Sequence, residues 1–136
     1  MSRHDNCEAQ VIAALNKEGW VVIHRQASYL SVEGRYVYID LKIPKPGQTL
    51  LVLEVKCFAD SQTIMADFYV ALGQYIYYRN VLSYNQAPEE LYLSIPQHVY
   101  EGILTWPTVQ MTLAEVSAKL VIIDLEQEEI ISWKTW

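Results

Sequence analysis

Two hydrophobic periods alternate along the chain. Val11, Ile12, Ala14 and Leu15 recur at helical spacing, Asp5 and Glu8 have the spacing of a capping box, and Gly19 is a good stop, so a helix is predicted over residues 5–18. The apolar run Trp20 to Ile23 reads as a short buried strand, and Ser28 to Arg35 as a loop turning at Gly34. From Tyr36 to Ile43 the period falls to two: Val37, Ile39, Leu41 and Ile43 share one face, and Tyr36, Tyr38, Asp40 and Lys42 the other. Pro44-Lys-Pro-Gly-Gln is a turn, and Thr49 to Lys56 is a second strand with Leu51, Leu53 and Val55 opposed to Leu50, Val52, Glu54 and Lys56. Helical spacing returns from Ser61 to about Leu82, where Gly73 weakens the helix and lets another element approach closely. Leu91 to Ile95 is predicted as a strand and Pro96 to about Leu104 as a short helix. Pro107 is predicted as a break and Leu113 to Lys119 as a helical turn, before a closing hairpin of 120–125 and 130–133 around Glu126-Gln-Glu-Glu. This is an α/β pattern over residues 1–136, in one domain.

Composition adds limits. Of 136 residues, 51% are hydrophobic and 19% charged, enough for a single compact core. No apolar run approaches the roughly 18 residues of a membrane span, and the polar start lacks a secretory apolar region. The expectation is a cytoplasmic protein with no membrane role. Cys7 and Cys57 form no C-x-x-C pair, which suggests reduced thiols rather than a disulfide or a zinc site. Sixteen acidic residues against ten basic ones give a net charge of −6, unfavourable for phosphate binding unless the cations are focused on one face or supplied by a partner. Arg25, Arg35, Lys42 and Lys45 are the candidates for such a patch.

The chemistry lies between the two alternating strands. Asp40 precedes Gly47 by seven residues and Glu54 follows it by seven, so a hairpin folded about Gly47 sets the carboxylates opposite each other. Facing carboxylates repel unless a cation relieves them, and oxygen ligands of this kind suit Mg²⁺ or Mn²⁺. Lys56 shares their face, two residues beyond Glu54. Phosphodiester hydrolysis needs a metal and a cationic group near the developing charge. Asp40, Glu54 and Lys56 therefore form a candidate catalytic set, with the Val55 carbonyl as a further metal ligand and Glu8 and Gln74 as additional site residues. The plainer reading is a solvated strand face with a cross-strand ion pair, but the apolar flanks Tyr38-Ile-Asp-Leu and Leu51-Val-Leu-Glu-Val-Lys embed the charges in a sheet.

Those residues, together with Glu18-Gly-Trp20, Leu53-Glu-Val-Lys-Cys-Phe58, Ala71-Leu-Gly-Gln-Tyr75 with Tyr78-Arg79, Leu91-Tyr-Leu-Ser-Ile-Pro96 and Leu120-Val-Ile-Ile-Asp124 through Trp133, resemble the XisH proteins. These are known as fdxN element excision controlling factors, within the PD-(D/E)xK restriction-endonuclease-like superfamily. One departure is Ile39 in place of proline before Asp40. The resemblance implies a central mixed β-sheet flanked by helices, with an antiparallel hairpin carrying the site. It also implies a role in programmed DNA-element excision, with duplex DNA and a companion factor of the XisI type as partners.

Three functions follow. The first is a metal-dependent endonuclease component of an excision system. The second is a catalytically silent accessory subunit of the same fold, acting through protein contacts. The third is an interaction module whose Tyr-rich surface docks another protein. Retained Asp40, Glu54 and Lys56 favour the first, and the acidic balance favours the second, with a homo-oligomer as another means of gathering the basic residues.

Overall fold

The computed structural model describes residues 7–44 and 50–136, the side chain of His24 apart. Its elements run α1 (Glu8–Lys17), β1 (His24–Leu30), β2 (Tyr36–Ile43), β3 (Leu51–Val55), α2 (Ile64–Tyr84), β4 (Glu90–Pro96), α3 (Gln97–Glu101), α4 (Pro107–Glu115), β5 (Lys119–Asp124) and β6 (Glu129–Thr135). The six strands form one mixed sheet whose spatial order is the chain order. β1–β2, β2–β3 and β5–β6 pair antiparallel, whereas β3–β4 and β4–β5 pair parallel.

That order decides where the helices go. Parallel neighbours need a crossover, usually helical, and right-handed crossovers along a sheet growing in one direction fall on the same face. α2, α3 and α4 accordingly cover one face, where Phe68, Ala71, Tyr75, Val99, Leu104 and Leu113 pack on Val52, Leu93, Ile95, Leu120 and Ile122. The opposite face is left to α1, whose Val11, Ala14 and Leu15 pack on Leu41, Leu53, Val55, Val121 and Ile123. The alternation expected in the strands is the division between these two cores, and each buried Leu or Ile contributes about 1.5–3 kcal/mol to it. Ile39 departs from its predicted face: Leu41 and Ile43 point to α1, but Ile39 joins the α2-side core. The change falls where Gln26 lies between the pairs Arg25↔Leu41 and Ala27↔Ile39 with φ of 64°.

Several boundaries differ from expectation. The capping box at Asp5 and the turn at 45–48 lie outside the described residues. Residues 20–23 are not a strand: Trp20 is buried in the α1-side core, where Trp133 packs at 5.4 Å, while Val21 and Ile23 donate to the carbonyls of Pro44 and Lys42 on the way into β1. The loop expected at 28–35 begins only after Leu30. β1 is a polar edge strand, HRQASYL, without the apolar alternation that marks a half-buried one. Pro107 starts α4 instead of breaking the chain, because the first helical position needs no amide donor. No described element crowds Gly73: a Cβ built there would meet nothing within 4 Å. Its expected close approach is therefore not made within the described chain.

Candidate functional site

The β2–β3 register pairs Leu41 with Leu53, Lys42 with Val52 and Ile43 with Leu51, and so sets Asp40 opposite Glu54. The sequence places the centre of this pairing at Gly47, outside the described residues. The two carboxylates do more than face each other. The Asp40 amide donates to Glu54 Oε1 at 3.3 Å, and the Val55 amide donates to Asp40 Oδ2 at 2.8 Å. Each carboxylate thus bonds the backbone of the opposite strand where the ladder between them ends. Lys56 Nζ lies 3.4 Å from Glu54 Oε2, and the Lys56 amide donates to the Ser94 carbonyl of β4 at 3.1 Å. Asp40, Glu54 and Lys56 therefore meet on one face, at the end of a central strand held on both sides.

Glu54 is only 5% exposed. Burial and the adjacent Asp40 charge push its carboxyl up to about 8, and Lys56 and the Asp40 amide only partly offset them. At neutral pH the pair holds a proton or calls for a cation. Such a buried carboxylate pair is chemically suited to a hard divalent ion, which replaces the proton as the relief of repulsion. Val55 enters the site through its amide, and its carbonyl is the backbone oxygen the sequence reading adds as a ligand.

The additional candidates are placed differently. Glu8 accepts two bonds from Arg25, at 2.6 and 2.9 Å. No group of three metal-ligating side chains forms among the described residues, so Glu8 is not gathered to the carboxylate pair. Gln74 lies on α2 with its amide oxygen enclosed and without a hydrogen-bond donor among the described residues. Of the candidate basic patch, Arg25 is held by Glu8 and Lys42 by Glu89 at 2.9 Å, while Lys45 lies outside the described residues.

The expectation of reduced thiols is overturned. Cys7 and Cys57 are joined in a disulfide, with Cα atoms 5.8 Å apart. Separation in sequence was a poor guide, because α1 begins where β3 ends. The bridge ties the residue before Glu8 to the residue after Lys56. That adjacency to two candidate site residues was the signal available in the sequence. Also missed was the cluster in which Glu89 accepts from Tyr29 Oη at 3.0 Å and pairs with Lys42. Burial opposes Glu89 ionisation, but bonds from Lys42, its own backbone and Tyr29 prevail and lower its pKa; Tyr29 is pushed up by burial and by Glu89.

Fold and site together define a mixed-sheet α/β protein that carries an acidic pair and a lysine where β2 and β3 pair. The chain belongs to the XisH family, whose model matches residues 1–131. It is similar to a crystallised XisH family protein from Nostoc punctiforme PCC 73102, at 31% identity over 92% of this chain and 95% of that one, with a TM-score of 0.84. It is also similar to a crystallised fdxN element excision controlling factor protein from Anabaena variabilis, at 29% identity over 95% of this chain and 98% of that one, with a TM-score of 0.87. No curated protein matches. Among the described residues, no helix is long and apolar enough to cross a membrane.

Proposed function

We propose that this protein is a restriction-endonuclease-like, metal-dependent component of a programmed DNA-element excision system, acting on duplex DNA. The observation that carries the reading is the meeting of Asp40, Glu54 and Lys56 on one face, with each carboxylate fixed by a backbone amide of the opposite strand. Asp40, Glu54 and the Val55 carbonyl would hold Mg²⁺ or Mn²⁺. A bound divalent ion supplies polarisation of a phosphate and a lowered water pKa. Lys56 supplies a positive charge beside the pair, suited to developing negative charge on a phosphate. The two backbone amides keep the carboxylates oriented, so little rearrangement is needed when the proton on the pair gives way to a cation.

A second reading has its own support. Two members of the basic patch are already committed to acidic partners, and the net charge is −6, so this chain has little left to offer DNA phosphates. In that reading the protein is a catalytically silent accessory subunit controlling excision. In either case DNA engagement takes a companion factor of the XisI type, or a homo-oligomer, to assemble the positive surface.

The experiment measures Mn²⁺ binding by calorimetry, then nicking of duplex DNA at moderate salt in Mg²⁺, with and without the companion. The nuclease reading expects metal binding lost in Glu54→Gln and Asp40→Asn, and nicking by the complex lost in Lys56→Ala. Metal binding and DNA binding by the complex without any nicking would establish the silent subunit. Absence of metal binding by the wild type would remove the nuclease reading.

A further inference from the structure

The outer face of α2 is apolar and lacks cover within the described chain. Phe68, Ala71, Tyr75 and Leu82 point into the core. On the other side Tyr69, Val70, Ile76, Tyr77 and Tyr84 are exposed by 64, 55, 38, 46 and 58%. Tyr69 and Val70 lie four and three residues before Gly73, Ile76 and Tyr77 lie three and four after it, and Tyr84 follows one more exposed position, Asn80, which places them on one stripe. A surface helix ordinarily carries polar residues there, and a helix apolar on all sides belongs in an interior. The charged side chains of α2 are Asp67 and Arg79. Arg79 is drawn inward, donating to the Val116 carbonyl and lying over the Tyr75 ring.

We propose that this stripe pairs with the same stripe of a second copy of the chain, with the two α2 helices antiparallel and crossing at Gly73. The assignment to a second copy rests on three features. First, the stripe reads alike in both directions: Tyr69-Val70 and Ile76-Tyr77 flank Gly73 at equal distances. Antiparallel contact about Gly73 therefore brings Tyr69 of one copy level with Tyr77 of the other, and Val70 level with Ile76. A two-fold interface demands this kind of self-complementarity, because the same patch must serve both sides. Second, Gly73 leaves open space outside the helix. The missing side chain that serves no packing within the described chain makes a notch at the crossing point, where helix axes can come close. Third, the area suffices. With an aromatic side chain burying about 150–250 Å², the exposed fractions amount to roughly 400–500 Å² per copy. Complete burial of the stripe on both copies thus removes about 800–1,000 Å² from water, the size of a weak, concentration-dependent interface. The stripe itself carries no charge, so the net −6 is kept away from the contact. This inference is independent of the nuclease reading.

The test is sedimentation velocity across the micromolar range on the isolated, oxidised protein. Wild type is expected to reach twice the monomer mass. Gly73→Leu and Tyr77→Glu should weaken the dimer by at least about tenfold while retaining the wild-type circular dichroism, since Gly73 faces open space and Tyr77 is half-exposed. Gly73→Cys should form an intermolecular disulfide under mild oxidation, and Glu115→Cys, exposed on α4, should not. A wild type that stays monomeric at every concentration, a dimer indifferent to both substitutions, or a stripe protected from hydrogen exchange only when a different protein is added would overturn the proposal.

Discussion

Glu54 is where structure and titration meet. Its folded pKa, near 8, stands above the ordinary glutamate value of 4.5. Between those values the folded state holds a proton that the unfolded chain has released, so the stability of the metal-free protein falls as pH rises from 4.5 to 8. Glu54→Gln should therefore be more stable than wild type at pH 9 without metal, by on the order of a few kcal/mol, with the difference closing toward pH 5. Urea melts at pH 5, 7 and 9 measure this; a constant difference would show that Glu54 ionises freely. The same proton must leave when a cation binds, so Mn²⁺ affinity should climb with pH up to about 8 and then level. Glu89 has the opposite sign. Its lowered pKa contributes stability present above the unfolded carboxylate range and lost as pH falls through the folded value. Lys42→Met removes the cation beside a carboxylate that is 5% exposed and should cost about 1–3 kcal/mol, between the values for exposed and buried pairs. That loss should be visible in melts at pH 7 and should shrink at pH 3.

The disulfide joins two elements, α1 and the end of β3, across fifty residues. A cross-link closing a loop of that length contributes about 3–4 kcal/mol by restricting the unfolded chain. Cys57→Ser should lower stability by that order, and reductant should destabilise wild type but leave the variant unchanged, as read by thermal melting. This bridge also marks the limit of the sequence. Alternation showed β2 and β3 because each strand divides its side chains between two separate cores, and seven residues on each side of Gly47 sufficed to oppose Asp40 and Glu54. What spacing carries badly is contact between elements distant in sequence. Cys7 with Cys57, Arg25 with Glu8 and Lys42 with Glu89 are all of this kind. β1 was half-hidden for a different reason: this edge strand is mostly exposed, with only Ala27 buried among its described side chains, so it shows no apolar period and residues 28–30 passed for loop. The environment of Gln74 depends on how α2 lies on the sheet, which no pattern within the helix specifies.

At the scale of the molecule, the sheet runs in chain order, but its two ends are linked through the α1 face. α1, from Glu8 to Lys17, packs on β6, from Glu129 to Thr135, and Trp20 rests on Trp133 at 5.4 Å, with Tyr92 edge-on to that ring at 5.2 Å. Neighbouring strands can pair as soon as each is made, since every partner is next in sequence. The α1-side core cannot be completed in that way. During synthesis its apolar surface waits through more than a hundred residues for Trp133, while the α2 side already has its crossover helices. The order of assembly is therefore asymmetric: α2-side packing first, α1-side closure last. Chains arrested after Leu125 should consequently show strand and helix content but an exposed Trp20, detectable by fluorescence quenching, and should be sensitive to proteolysis within α1. Release of the segment that holds β6 should end both together, so a strand made more than a hundred residues later is the one that shields the first helix.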